Sequence, residues 1–323
     1  MSEHHLFKDG DFDVINSQSI MDKYAKSFSL AAKFLSPESK QNAAYLYAFA
    51  RLADDLADEE QLGTMTERMG KLQQLKDSVS VGENKFANTS DPSILHLGKQ
   101  LSAVIQDKQI DRAVLDYFIT SLQTDAMPRQ LQTAQDLITF SYGVAGTVGL
   151  MMRPILQAPK TSDAHAMALG IGMQLTNIAR DVLEDARRQR CYIPAQWGIN
   201  LNDLNNITHQ EISTKCYEAV KKIVTLADDF YGFAQVGIEA IPSQNRRGIK
   251  IAMILYRAIG KKIVAQGASR YWSGRTSLTI FEKISLIAQC YLGTADYASA
   301  PDRNLMTYDL FHLAGLAGFP QIK

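Results

Sequence analysis

Cysteine is nearly absent from this 323-residue chain: Cys191, Cys216 and Cys290 are its only three, far apart in sequence. An odd, scattered set excludes a disulfide framework and paired thiolate ligands, leaving three ordinary thiols suited to a reducing compartment. An excess of either charge is missing too. Lys and Arg number 34 against 34 Asp and Glu, so no general attraction to nucleic acid is expected and a nucleic-acid partner is set aside. No stretch approaches the roughly 18 to 20 apolar residues of a membrane span, "VAGTVGLMM" (144–152) coming nearest, so a soluble chain is expected. Phosphate-cradling glycine motifs are missing as well, and "GIGMQL" (170–175) reads as a helix face with small residues. The N-terminal "MSEHHLFKDGDFDVINSQS" lacks the basic and apolar regions of a secretory signal. Residues 1–17 are expected to form a loose leader, with His4 and His5 as surface residues lacking partners at ligand spacing.

Proline is also scarce, nine in all, and the long proline-free intervals are rich in Ala, Leu, Ile, Gln and Lys, which favour helices. Apolar residues recur at three and four, as in Leu46, Phe49, Ala53 and Leu56, and no stretch alternates as a strand would. The periodicity predicts helices over 18–35, 39–58, 64–79, 93–106, 110–124, 133–157, 162–187, 208–239, 244–267 and 278–292. Residues 78–93 form the one long loop. No linker or repeat interrupts the pattern, which predicts a single all-α domain over 18–300 and a C-terminal tail over 301–323.

Two segments carry chemistry. At about 100° per residue, Tyr47, Arg51, Asp54 and Asp58 fall within about 60° of one another, opposite Leu46, Phe49, Leu52, Ala53 and Leu56. Taken alone, that is an amphipathic helix with a solvated acidic face. In "GMQLTNIARDVLEDARRQRCYIP" (172–194), however, Gln174, Asn177, Asp181 and Asp185 fall within about 80° of one another. Carboxylates at i and i+4 repel, destabilising a helix by about a few tenths of a kcal/mol, and a divalent cation reverses that sign. Mg²⁺ binds through one or two carboxylates and completes its shell with water and substrate phosphates. Two such helices across a cavity would hold a diphosphate.

The segments "YAKSFSLAAKFL" (24–35), "YAFARLADDLAD" (47–58), "YGVAGTVGLMM" (142–152), 172–194 and "LYRAIGKKI" (255–263) resemble, in order, the signatures of the squalene and phytoene synthase family, with a texture nearest the bacterial phytoene synthases. The resemblance implies a helical isoprenoid synthase bundle around a central cavity. It implies head-to-head joining of two prenyl diphosphates through a cyclopropylcarbinyl diphosphate, two C20 chains giving phytoene. The alternatives are a C30 relative making presqualene diphosphate, squalene or dehydrosqualene, and a non-catalytic assembly factor. Carried over by position, Asp54, Asp58, Asp181 and Asp185 would ligate Mg²⁺, with Mn²⁺ able to replace it. Gln174 and Asn177 would position the diphosphate. Arg51, Ser27 and Lys26 would contact its oxygens, and Arg275 would be a C-terminal diphosphate-binding arginine. Tyr47, Phe28, Tyr142, Ala145 and Tyr192 would line the site. Phytoene formation needs no hydride, so NADPH is not expected. One departure is visible: several relatives carry His-Ser before the Lys-Ser-Phe where this chain has Tyr24 and Ala25. The resemblance also implies a cytoplasmic protein that touches the inner face of a membrane while releasing an apolar product.

Gly143, Ala145, Gly146 and Gly149 allow close helix approach, with or without shaping a channel. Arg187, Arg188 and Arg190 lie at a helix C-terminus, where surface stabilisation of the dipole and diphosphate contact are both open. Asp228 and Asp229 are expected to be solvated, as are Glu59 and Glu60, and Asp55 is unassigned.

Overall fold

The computed structural model describes residues 17–79 and 91–296. The tail expected over 301–323, all of the expected leader except Ser17, and the centre of the long loop lie outside the described residues. The order is α1 (Ser17–Tyr24), α2 (Lys26–Ala32), α3 (Pro37–Asp58), α4 (Met65–Ser78), α5 (Pro92–Lys108), α6 (Arg112–Asp125), α7 (Ala134–Ser141), a π turn (Tyr142–Gly146), α8 (Thr147–Ile155), α9 (Asp163–Arg187), α10 (Leu201–Asn205), α11 (Gln210–Ile238), α12 (Ser243–Ala265), α13 (Gly267–Trp272) and α14 (Ile280–Leu292). The fold is all-α, and α9 packs against α8, α11 and α12. Among the described residues no helix is long and apolar enough to cross a membrane.

The boundaries follow local chemistry. Ser36 caps α3, accepting from the Ser39 amide, and Pro37 opens the first turn where a missing N–H is harmless. Thr64 with Glu67, Thr133 with Asp136 and Thr279 with Glu282 form capping boxes that start α4, α7 and α14. The apolar side of α3 is buried as its period requires, with Leu46, Phe49, Ala53 and Leu56 in the core.

The short helices α10 and α13 were not among those expected, and three further features depart from the pattern. The helix expected over 18–35 breaks at Ala25 (φ −124°, ψ 60°), and the Asp22 carboxylate, accepting from the Ser29 hydroxyl, joins the two pieces. The helix expected over 133–157 contains the π turn. A two-residue parallel pair, β1 (Arg129–Gln130) and β2 (Arg190–Cys191), was too short to leave an alternation; it ties the chain after α9 to the chain after α6.

Small residues set the spacing between α8 and α9. A Cβ at Gly170 would lie 2.2 Å from the Ala145 carbonyl oxygen, and one at Gly149 would lie 2.1 Å from that of Ala166. Both obstacles are backbone and cannot rotate away. Gly170→Ala is therefore expected to destabilise the protein by about 1–3 kcal/mol, lowering the thermal midpoint by a few degrees in calorimetry.

At one end the bundle is knitted shut by Ser39 and the fully buried Asn245. The Ser39 hydroxyl donates to the Ile155 carbonyl (2.8 Å), while the Asn245 amide donates to Ser39 Oγ (3.0 Å) and the Leu156 carbonyl (3.1 Å). The opposite end, where α3 and α9 finish, carries the charges.

Candidate active site

A cavity of about 900 Å³ runs between these ends. From α3 it is lined by Tyr47, Arg51, Asp54 and Asp58, and from α9 by Gln174, Asn177, Asp181 and Asp185. Lys26, Ser27 and Phe28 from α2, Ala145 from the π turn, Tyr192 after β2 and Arg275 before α14 complete the expected set. Tyr142 is the exception. It is fully buried, its ring centroid 5.4 Å from that of Tyr117, and it lies outside the cavity wall. The extra residue in a π turn breaks the 100° spacing, so Tyr142 turns into the packing while Ala145 reaches the cavity.

The two acidic motifs are already engaged by arginines. Asp58 accepts from Arg188 Nη1 and Arg190 Nη1, each at 2.6 Å. Both arginines thus belong to the cavity, and Arg190 is buried, which decides against a purely surface role for these two. Glu59 also turns inward, accepting from Arg188 Nη2 at 3.2 Å, because the helix ends at Asp58 and frees it to reach that guanidinium. Asp55, 1% exposed, receives Arg51 through both Nε (3.1 Å) and Nη2 (2.5 Å). Arg51 is also 3.5 Å from Asp54 and lies over the Tyr24 ring at 5.4 Å, so the tyrosine of the departure abuts the charged end. Across the cavity Asp181 is held by Arg180 (2.5 Å) and by Arg275 Nε (2.7 Å) and Nη2 (3.1 Å).

Electrostatics divide the four aspartates. Burial would raise Asp181, but the Arg180 and Arg275 guanidiniums outweigh it and hold the carboxyl below its ordinary value. Asp185 has no such help: burial, followed by the charges of Asp181 and Asp125, pushes it well above the carboxylate range. Burial and the Asp58 charge push Asp54 up to about 6, against the pull of Arg51. Asp54 nevertheless faces the open cavity, its side chain 49% exposed.

These residues suit a hard divalent cation. The donors are carboxylate oxygens, two of the four resist ionisation without a cation, and Asn177 Oδ1 is buried beside them with no hydrogen-bond partner. Among the described residues no cluster of three or more acidic, His or Cys side chains forms a complete cage. Two carboxylates per helix leave coordination positions for water and phosphate oxygens.

Several lining residues carried no recognisable sequence signal. Asp125, buried at the end of α6, accepts from the Tyr192 hydroxyl (2.7 Å) and lies 3.6 Å from Arg190. Tyr256 faces Phe28, ring centroids 5.0 Å apart, adding an aromatic surface behind Tyr47. Asp228, expected to be solvated, instead forms a two-point ion pair with Arg257, which α12 presents to α11. Cys191 and Cys216 are buried free thiols, as expected.

Beyond the charged end the wall is largely apolar, including Val148, Met152, Leu169, Met173 and Ile238, with Arg153, Ser162 and His165 as polar lining residues. Residues 21–282 match the family model described as squalene/phytoene synthase. The chain is 30% identical to a 15-cis-phytoene synthase of Enterobacter agglomerans, covering 83% of this chain and 91% of that protein. It is 31% identical to a 15-cis-phytoene synthase of a Paracoccus species, over 85% of this chain and 89% of that one. A crystal structure of a dehydrosqualene synthase superposes with a TM-score of 0.71 at 26% identity, covering 86% of this chain and 95% of that one. The paired acidic helices, the cavity between them and this similarity over most of the sequence together place the chain in the squalene/phytoene synthase family.

Proposed function

We propose that this prenyl-transferring enzyme joins two C20 geranylgeranyl diphosphates head to head to give phytoene. One observation supports this above others: two acid-bearing helices meet across the charged end of a cavity whose remaining wall is largely apolar. Asp54, Asp58, Asp181 and Asp185 would hold Mg²⁺, or Mn²⁺ in its place. Bound there, the ion supplies Lewis-acid stabilisation of the departing diphosphate.

The chain's own residues do the rest. Arg51, Arg180, Arg188, Arg190 and Arg275, which neutralise carboxylates in the free protein, are positioned to exchange those partners for diphosphate oxygens, with Lys26 and Ser27 adding donors. Asn177 and Gln174 orient the same group, an unpaired oxygen on Asn177 being available. Ionisation leaves an allylic cation that water would quench. Phe28, Tyr47 and Tyr256 offer π faces to it, and the apolar wall excludes solvent. The C2–C3 double bond of the second donor then attacks C1 of that cation, and loss of a C1 proton closes the ring to a cyclopropylcarbinyl diphosphate; departure of its diphosphate, rearrangement and loss of a second proton give a conjugated triene without a hydride donor. The product is a hydrocarbon, so its release calls for transient contact with a membrane, on the cytoplasmic side.

The similarity to a dehydrosqualene synthase structure favours a second reading, in which two C15 diphosphates give a C30 product. Both aspartate pairs are intact, which argues against a non-catalytic assembly factor. The test uses purified protein with Mg²⁺ and C15 or C20 prenyl diphosphate, with and without NADPH, followed by product identification in organic extracts. A C40 triene formed from the C20 substrate without NADPH is the expected outcome, and absence of any coupled product from either substrate would refute synthase activity. In the same assay, chelating divalent cations is expected to reduce turnover to background and added Mg²⁺ to restore it; unchanged turnover in chelator would overturn the metal assignment.

A further inference from the structure

Helix α14 is apolar on two sides. Leu286, Ile287 and Cys290 pack against the core, whereas Ile280, Phe281, Ile284, Tyr291 and Leu292 are exposed, Phe281 to 80% and Leu292 to 76%. The exposed set forms a stripe about 120° wide along the whole helix. A continuous apolar stripe of this kind marks an interaction surface rather than scattered surface residues.

Its position and surroundings narrow the partner. Ser277 and Leu278, just before α14, and Lys283 within it line the charged end of the cavity, beside the Arg275 contact to Asp181. The chain is neutral overall, but in residues 266–292 the single acid, Glu282, is neutralised by Lys262 at 2.8 Å and Arg275 by Asp181, leaving Arg270 and Lys283 as excess cations. The exposed Lys26 lies close enough to Lys283 to repel its charge, and Arg247 sits over the Tyr291 ring at 4.5 Å. Apolar side chains projecting from a basic surround complement a bilayer with anionic headgroups: the stripe enters the acyl boundary while the cations meet phosphates.

We infer that the exposed stripe of α14 and its basic surround form a docking surface for an anionic lipid bilayer, which sets the mouth of the cavity against the membrane. Its purpose rests on the prenyl diphosphate reading, because substrates with long apolar tails and a hydrocarbon product would then pass directly between bilayer and cavity. Its existence does not rest on that reading.

Vesicle flotation of the full chain without substrate tests it. Binding is expected to equimolar phosphatidylglycerol/phosphatidylcholine vesicles, weakening about tenfold or more on pure phosphatidylcholine or in about 0.5 M salt. Phe281→Glu combined with Ile284→Glu is expected to lower binding at least about tenfold with unchanged circular dichroism. Neither residue lines the cavity, so turnover of detergent-dispersed substrate should persist. Equal flotation of the variant, or no flotation of the parent, overturns the surface. So does a parent dimer in light scattering that the variant loses while neither protein floats, which would assign the stripe to a second copy. Absent coupling by a parent that still floats would sink the catalytic reading alone.

Discussion

Asp54→Ala and, separately, Asp181→Ala are each expected to lower prenyl diphosphate turnover by about three orders of magnitude or more, because each removes half of a cation-binding pair on one wall of the cavity. Their effects on stability should differ, which separates lost chemistry from lost structure. Asp54 has its carboxyl raised to about 6 by burial and by Asp58, so at neutral pH folding holds an anion against its preference. A raised acid lends least stability above its folded value, and replacing it should leave the thermal midpoint unchanged or higher. Asp181 is depressed by Arg180 and Arg275 despite burial; its contribution is present above the unfolded carboxyl range and lost as pH falls through the folded value. Its removal should therefore lower the midpoint at pH 7. Calorimetry and single-turnover rates on both variants check the pair of expectations, and near-parent rates in both would show that these carboxylates do not serve the reaction.

The fold and the centre of this site were legible because they obey one period. Asp54 and Asp58 share a stripe with Arg51 and Tyr47 only if α3 is an uninterrupted helix, and it is; the same holds for Gln174, Asn177, Asp181 and Asp185 on α9. Where regular geometry ends, so did legibility. Arg188 and Arg190 lie past the last turn of α9, where a helical wheel has no force; Arg188 is the helix's C-cap and Arg190 belongs to the two-residue strand pair. Glu59 sits just beyond α3 and follows Arg188 inward rather than the helix face outward. Tyr142, placed in the site by resemblance rather than by helical spacing, packs against Tyr117 at the start of the π turn. Asp125 comes from the end of a separate helix with no second carboxylate at helical spacing, so only the packed structure reveals it beside Arg190 and Tyr192.

Filling the closed end of the cavity is expected to change which prenyl chain is used. Ala166 lines the cavity near the start of α9, about 22 Å along the helix from Asp181. It lies beside Gly149, on the side of the bundle closed by Asn245 and Ser39. A diphosphate fixed at the aspartates would direct its hydrocarbon tail toward that end, bringing the last isoprene unit of a C20 chain nearest Ala166, where a C15 chain would stop short. Ala166→Phe is accordingly expected to reduce kcat/KM for geranylgeranyl diphosphate by about tenfold or more while changing that for farnesyl diphosphate by less than about threefold, since misfit at the wall of an apolar pocket discriminates by about 1–3 kcal/mol per methylene-sized clash. The charged end is untouched, so cation dependence should stay the same for both substrates. Competition between the two diphosphates, with products separated by chain length, gives the ratio directly. An equal fall for both would mean that the tail does not follow α9 toward its N-terminus, and that chain length is measured against another wall.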